Sequence, residues 1–139
     1  MVTWGDLERG GEAPKVDMAV CQVCACGDGF ACLDRLGRTT CWGDPSLSAK
    51  LEGVQRLSAS SRSFAALMKD GSVRVWGERH RGISTTVPGA SDVVEVVGSS
   101  WAFSALTSEG QVVAWGDPKC GGDLAEVRDQ LVGVVKIFA

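Results

Sequence analysis

Six cysteines are the residues of this 139-residue chain most suggestive of chemistry, and three of them stand in the run CQVCAC at positions 21–26. Thiolates at short spacing are ligands for zinc and partners in disulfides. If residues 20–25 form a strand, however, Cys21 and Cys24 point to opposite faces and cannot share a tetrahedral site. No second cysteine pair or histidine follows at a ligand spacing. The pattern favours small strand or core residues, so we expect no bound metal and no disulfide.

A histidine between two arginines is the other candidate for chemistry. His80 is the single histidine, flanked by Arg79 and Arg81 in the run GERHRG. Positive neighbours keep an imidazole neutral, as a general base requires, yet no serine or cysteine stands near it at a recognisable spacing. The motifs GxSxG, HExxH and GxxxxGK[ST] do not occur. We therefore expect a solvated loop histidine, no catalytic residue and no cofactor.

The overall charge argues against a nucleic-acid ligand. Fourteen Lys and Arg stand against 17 Asp and Glu, for a formal charge of −3, and no arm of the chain collects the basic residues. No stretch approaches the ~18 consecutive apolar residues of a membrane helix, and the start does not read as a signal peptide. The sequence predicts no nucleic-acid or membrane partner and an intracellular location, cytoplasmic or nuclear.

These residues stand on an internal repeat. Three windows of the chain align without a gap, and we call them unit 1 (residues 20–44), unit 2 (54–78) and unit 3 (93–117). Each carries Phe, Leu, Gly and Trp-Gly at the same spacing: Phe30, Leu33, Gly37, Trp42 and Gly43; Phe64, Leu67, Gly71, Trp76 and Gly77; Phe103, Leu106, Gly110, Trp115 and Gly116. Constant windows with connections of variable length are typical of stacked units joined by surface loops.

Each window predicts three short strands, which in unit 2 cover residues 54–59, 64–68 and 73–76. Asp70-Gly71 predicts a hairpin with a primed turn, because glycine accepts the positive φ that such a turn demands. The runs FAAL and FSAL do not alternate apolar with polar residues, so both faces of the second strand should be covered. In the last connection, Asp123 and Glu126 predict a capped α-helix over residues 123–131.

Two sets of repeated side chains have a structural interpretation. An acidic residue follows every Trp-Gly, and we expect these carboxylates to accept backbone N–H groups of the next turn: Asp6, Asp44, Glu78 and Asp117. The four repeat tryptophans are expected to pack between units and to donate hydrogen bonds through their indole N–H groups.

Trp101 lies outside the repeat signature. It stands where the other units have Asp28 and Arg62, in the break before the second strand. An exposed tryptophan is a typical interface anchor, so our hypothesis is a partner-binding surface made by Trp101, Arg79 and Arg81. Packing of Trp101 in the core is the alternative.

The repeat resembles that of a known family. The string FAALMKDGSVRVWG at 64–77, with Gly-Gly pairs at 10–11 and 121–122, is similar to the repeat of the RCC1 (regulator of chromosome condensation) β-propellers. That family commonly has histidine at the repeat phenylalanine and a Gly-Gln-Leu-Gly loop where this chain has GGEA or GGDL. The resemblance implies an all-β fold over residues 1–139, one short antiparallel sheet per unit. Three units are complete, and partial terminal strands at 1–6 and 134–139 belong to incomplete units.

Propellers usually need about 4–8 blades to close, so three complete units leave the ring open. The chain is then a fragment of a longer array, one half of a two-chain ring, or a small closed form in which residues 1–4 pair with 134–139. The first is favoured, because the interruption falls inside a strand-forming window. Unpaired blade faces at the ends of an open arc predict self-association.

The functional prediction rests on this architecture. A non-enzymatic protein–protein interaction scaffold, with binding residues presented by the variable connections, is the first interpretation. The resemblance also implies an alternative, in which the chain is part of a larger regulatory protein. That protein would be a guanine nucleotide exchange factor or a HECT-type ubiquitin ligase carrying RCC1-like repeats. The partner is predicted to be a protein in both cases.

Overall fold

The described part of the chain contains nine strands in three separate sheets. The computed structural model describes residues 5–16, 19–77, 87 and 91–139. Each window forms one antiparallel three-stranded sheet in sequential order. The strands are β1 (Val20–Cys26), β2 (Gly29–Asp34), β3 (Thr39–Gly43), β4 (Val54–Ala59), β5 (Ser63–Met68), β6 (Val73–Gly77), β7 (Val93–Gly98), β8 (Ala102–Thr107) and β9 (Val112–Gly116). The three strands predicted in unit 2 are therefore confirmed.

The helices of the described chain are short 3-10 turns, at Leu7–Arg9, Pro45–Leu47, Pro118–Cys120 and Arg128–Gln130. The α-helix predicted over residues 123–131 is wrong. Asp123 does accept a hydrogen bond from the N–H of Ala125 (2.9 Å), as a cap would. The chain after it forms a turn and then one 3-10 turn, and Val127, Arg128 and Gln130 are exposed. A short helix is stable only when its apolar face packs against the rest of the protein, and no sheet of the described chain packs closely against this segment.

The middle strand of every sheet is covered on both faces, as predicted. In β5 the residues from Ser63 to Leu67 are all buried, and β2 and β8 are nearly as enclosed. The cover comes from neighbouring units, since the two apolar cores lie between sheets. One core joins Ala31 and Leu33 of unit 1 to Phe64 and Ala66 of unit 2. The other joins units 2 and 3 in the same way. No unit buries its faces alone.

The hairpin between the second and third strands has the same geometry in each unit. In unit 2 the N–H of Met68 donates to Ser72 O (2.8 Å) and the N–H of Gly71 donates to Met68 O (3.0 Å). Gly71 has a φ of 79°, as predicted, but Asp70 has no positive φ. Both primed turn types require positive φ at the first central residue, here Asp70, so the predicted primed turn is wrong. The loop has three residues and ends in a left-handed glycine.

In unit 1 a carboxylate secures this hairpin turn. Asp34 accepts hydrogen bonds from the backbone N–H groups of Arg38 and Leu36, both at 2.9 Å, and from the Arg38 guanidinium at 3.0 Å. The bond from the Arg38 backbone is the main reason that the pKa of the Asp34 carboxyl lies below its usual value; its burial opposes the shift, and the Arg38 side chain adds to it. The ionised carboxylate therefore stabilises the folded state.

Replacing Asp34 with asparagine should lower the urea midpoint at pH 7. Because the folded-state pKa is depressed, this stabilisation is complete above the unfolded pKa, about 3.9, and disappears as the pH falls through the folded value. The midpoints of the two proteins should therefore converge in acid. Glu109→Gln is the control, since the exposed Glu109 lies on the matching turn of unit 3. A difference between Asp34→Asn and the parent that stays constant from pH 7 to pH 3 would contradict this account.

Backbone hydrogen bonds join each hairpin turn to the start of the next unit. Val54 N–H donates to Gly37 O (2.9 Å), and Val93 N–H donates to Gly71 O (3.1 Å). Val134 N–H donates to Gly110 O (3.1 Å) in the same register. We call this row the turn seam. Residues 134–139 thus occupy the position of the first strand of a further unit.

Residues 134–139 form no strand, although they lie in that position. Each first strand of a complete unit pairs with a second strand, and these six residues have no such partner in the described chain. Their side chains are correspondingly open, with Val135 92% and Phe138 82% exposed. Residues 1–4, the other end of the predicted closure, lie outside the described residues.

A side-chain clamp adds to the contact between units 1 and 2. The amide of Gln22 accepts a hydrogen bond from Leu57 N–H (2.8 Å) and donates one to Leu57 O (2.7 Å). At the matching position of unit 3, the carboxylate of Glu95 accepts a bond from Ile137 N–H (3.4 Å). A side-chain amide carries both the donor and the acceptor that one peptide unit needs.

Gln22→Ala is expected to lower the free energy of unfolding by about 2 kcal/mol, because the partly buried N–H and C=O of Leu57 lose their partners. Chemical denaturation checks the value. Arg56→Ala is the matched control at the same position of unit 2, where the side chain is exposed and makes no hydrogen bond within the described chain. Equal losses in the two variants would show that the clamp contributes nothing specific.

Candidate protein-interaction surface

The breaks between first and second strands gather at one end of the three sheets. They are residues 27–28, 60–62 and 99–101. The connections leave from the same end, since Asp44 N–H donates to Asp28 O (2.9 Å) and Asp117 N–H donates to Trp101 O (2.9 Å). We call this end the break face. It combines the most variable segments of the chain with a fixed backbone.

A second row of backbone hydrogen bonds fixes the break face. Gly27 N–H donates to Ser61 O (2.6 Å), and Ser61 N–H donates to Ser100 O (3.0 Å). Gly27, Ser61 and Ser100 hold the same position in the three units, so successive breaks lie side by side. We call this row the break seam.

Asp28, Arg62 and Trp101 stand next in order along the break seam. The Arg62 guanidinium donates to the Asp28 carboxylate at 2.5 Å, which joins units 1 and 2. Solvent screens this pair, because the Arg62 side chain is 44% exposed. Trp101 is half-buried. The residue is therefore neither fully exposed nor part of the fully buried core.

Of the three residues in the predicted binding surface, only Trp101 is placed by the structure. Arg79 and Arg81 lie outside the described residues, as does His80. The connection that carries them leaves from β6, whose end lies beside Ser63 in the pairing of β5 with β6. A binding surface shared by Trp101, Arg79 and Arg81 therefore stays a prediction.

The acidic residues after Trp-Gly do the structural work predicted for them. Backbone N–H groups two residues further on donate to Asp6 (2.9 Å), Asp44 (2.8 Å) and Asp117 (2.9 Å). Hydrogen bonds from Ser46, the side-chain bond first, hold the pKa of the Asp44 carboxyl below its usual value. Each carboxylate caps the first turn of a connection on the break face. Glu78 lies outside the described residues.

The repeat tryptophans join the sheets to the connections. Trp42 Nε1 donates to Gly10 O and Trp76 Nε1 donates to Leu47 O, both at 3.0 Å and both to the connection that precedes the unit. The indole N–H prediction is confirmed for these two. Trp115 Nε1 is buried and has no partner among the described residues. Each ring also packs on the phenylalanine of its own unit, with centroids 5.4, 5.6 and 5.7 Å apart.

Solved structures contain the same arrangement of sheets. Prp20p from Saccharomyces cerevisiae matches 74% of this chain with 16% identity and a TM-score of 0.60. Human WBSCR16 matches 75% with 22% identity and a TM-score of 0.58. The CRINKLY WD40 ectodomain of the Arabidopsis thaliana receptor kinase ACR4 matches 72% with 19% identity and a TM-score of 0.56. The Prp20p protein is also described as yeast RCC1.

The chain has the RCC1-like β-propeller fold. Units 1, 2 and 3 are its blades, and the all-β prediction is confirmed. The chain covers 32%, 34% and 37% of the three solved chains, about a third of each length. No family profile and no curated protein matches the sequence.

Five of the six cysteines of this propeller segment lie in blade 1, and Cys120 lies in the connection after blade 3; all six are free thiols. Cys21 is exposed, whereas Cys24 lies on the opposite face and packs into the core between blades 1 and 2. Cys32 is buried, and desolvation raises the pKa of its thiol and of the Cys24 thiol. Neutral, packed thiols are poor nucleophiles and poor metal ligands. Within the described ranges, no three His, Cys, Asp or Glu side chains converge on a point that could hold a metal ion.

No helix in the described part of the propeller segment is long and apolar enough to cross a bilayer.

Two features of the blades have no signal in the sequence. The clamp residue Gln22 is matched by Arg56 and Glu95 in the other blades, so the position shows no repeat. The second feature is a groove beside β9, which is lined in part by a connection that has no counterpart of the same length. A comparison of the repeats reveals only features that all units share, and neither of these features is shared.

Proposed function

We propose that this propeller segment is a non-enzymatic scaffold that binds a protein partner through its break face. The observation that carries the proposal is the break seam. It holds Asp28, Arg62 and Trp101 in one row, and the connections leave beside them. A rigid backbone with variable segments at one end is the usual arrangement of a recognition surface.

Partly exposed Trp101 is the proposed anchor. Tryptophan and arginine are enriched among residues that dominate binding energy, and both occur in this row. Prp20p has been examined for its binding to Gsp1p and histones, and it has been solved with Kap60. Those partners belong to that protein, and they support only the expectation that a propeller of this kind binds proteins.

The decisive variant replaces Arg79, Arg81 and Trp101 together with alanine. A matched control replaces Arg35, Leu36 and Lys69, which are exposed on the opposite end and also comprise two cations and one large apolar residue. Proteins captured by the parent chain are compared by quantitative mass spectrometry with those captured by each variant. Partners should be lost with the break-face variant and kept with the control. Equal retention by both variants would refute the proposal.

The alternative of a larger regulatory protein is favoured by one fact, that the chain spans about a third of the propellers it matches. Its exchange-factor form is tested by measuring nucleotide release from small GTPases in the presence of the purified chain. Acceleration of release would overturn the non-enzymatic assignment. The ubiquitin-ligase form would require a HECT-type domain in a longer product of the same locus. An intracellular location remains a prediction, since the fold also occurs in an ectodomain.

Self-association through unpaired blade faces is the remaining part of the proposal. Light scattering of the purified chain distinguishes the cases. A folded dimer or larger species supports it, and a monomer at all accessible concentrations contradicts it.

A further inference from the structure

The outer edge of blade 1 is covered by the chain's own backbone. Thr39 N–H in β3 donates to Leu51 O (3.0 Å), and Leu51 N–H returns a bond to Thr39 Oγ1 (2.9 Å). The Cys41 thiol donates to Ala49 O at 3.6 Å. Residues 49–51 thus run along β3 as a short surrogate fourth strand. Thr39 is 5% exposed as a result.

The matching edge of blade 3 has no such cover from any residue that the structure describes. Thr107 N–H donates to Gln111 O, and the pairing then alternates along β9, so the N–H groups of Val112 and Ala114 point away from β8. No backbone carbonyl of residues 5–16, 19–77, 87 or 91–139 accepts a bond from either group. The connection after β9 forms the 3-10 turn Arg128–Gln130, and none of its carbonyls accepts a bond from the Val112 or Ala114 N–H.

A groove of about 500 Å³ lies beside this free edge. Its apolar walls are Val112, Ala114, Leu124 and Leu131, and Arg128 lines it as well. A groove of about 490 Å³ also lies beside β3, although blade 2 is packed against blade 1. Such a groove therefore belongs to the outer edge of a blade, and packing of a following blade does not remove it.

The chemistry of the groove defines its occupant. Two outward N–H groups require carbonyls at strand spacing, and the apolar walls require an apolar side chain. Arg128 is exposed and makes no ion pair with any described carboxylate, so it favours an acidic residue. Beside β3, the covering segment is followed by Glu52, and that groove is lined by Lys15 and Arg38. In blade 1 the covering segment thus has an apolar residue, Leu51, followed by an acidic one, Glu52, although the Arg38 guanidinium itself pairs with Asp34.

We propose that the outer edge of β9 binds an extended strand of a protein partner, with an apolar residue next to an acidic one, by adding it to the sheet. This surface is separate from the break face, so the two proposals can fail independently. An edge strand with free donors is a ready template for such pairing.

The test uses the full chain and a synthetic peptide, SLSAKLEG, which has the sequence of residues 46–53. In the free protein, the amides of Val112 and Ala114 should exchange with deuterium at least about tenfold faster than that of Thr39. When the peptide is titrated into the protein and amide NMR spectra are recorded, the resonances of Val112, Ala114 and Leu131 should shift. Saturating peptide should slow exchange at Val112 by about tenfold.

Two variants make the result specific. Val112→Pro removes an outward donor without removing a bond to β8, and an edge strand tolerates proline. It should abolish the shifts while the remaining spectrum stays folded. Because Arg128 should select the occupant by charge, Arg128→Glu should weaken binding of the SLSAKLEG peptide by about tenfold. The same variant should bind a peptide that carries Glu52→Lys more tightly than the parent protein does.

Three outcomes would overturn the proposal. They are an absence of shifts at β9 with millimolar peptide, shifts that persist unchanged in Val112→Pro, and movement of the Val112 resonance on dilution of the protein alone. The last would assign the edge to a second copy of the chain.

Discussion

Phe64→Ala is expected to lower the free energy of unfolding by about 3–5 kcal/mol. The Phe64 side chain is fully buried, packs on Trp76 and fills the core between blades 1 and 2. Its removal leaves a cavity that two rigid sheets cannot close, because each sheet is fixed by its own ladder and by the seams. Total stabilities of domains this size are about 5–15 kcal/mol, so the loss is a large fraction of the whole.

Phe30→Ala is the matched control for Phe64→Ala. Phe30 holds the same position in blade 1 and packs on Trp42 in the same way, but it is only half-buried. Its removal should destabilise the protein by less than half as much, since less apolar surface is returned to water. Denaturant unfolding followed by tryptophan fluorescence and circular dichroism gives both values. Equal losses would mean that the core between blades 1 and 2 does not dominate stability.

Gly43→Ala should cost about 3 kcal/mol, because two penalties add. Gly43 follows Trp42 and has a φ of 114°, which side chains strongly disfavour. A Cβ built on it would also lie 2.5 Å from the Cα of Gly29 and closer still to the backbone oxygen of Asp28. Relief would require β3 to separate from the start of β2. The glycine of the Trp-Gly signature is therefore required by the close approach of two backbones.

Gly53→Ala separates the two penalties. Gly53 also has a positive φ, 73°, but a Cβ there would meet nothing within 4 Å. Only the conformational penalty applies, about 1 kcal/mol. Melting temperatures and denaturant midpoints of the two variants should differ clearly. If both variants lose the same amount, the close approach at Gly43 is not the reason for its place in the repeat.

The repeat allowed most of the fold to be predicted. Phe, Leu, Gly and Trp-Gly recur because each has the same structural role in all three units. Their positions were therefore enough to predict where the strands begin and end. The failures lie where more than one local structure fits the same residues. The pattern 123–131 has the spacing of a helix but no surface to pack on, and the turn at Asp70 has a glycine suited to a primed turn but uses a longer loop. Local sequence does not contain the tertiary contact that decides between such alternatives.

The candidate site was less accessible to prediction. Trp101 was found because it departs from its aligned positions, Asp28 and Arg62, and the structure places all three on the break seam. The free edge of β9 was not found. It depends on the path of the 16-residue connection after β9, and the residue types in that connection do not predict this path. Absence of a covering strand is a property of the folded chain.

The two seams have a consequence for how such a chain can change over generations. Their bonds use backbone atoms at fixed positions and join each blade only to the next. A gene segment encoding one blade and its connection could be duplicated in tandem, and the new copy would meet the same donors and acceptors on both sides. The number of blades is thus free to drift while the contacts between them stay the same. Side-chain clamps such as Gln22 can then differ from copy to copy, because the backbone bonds of the seams do not depend on them.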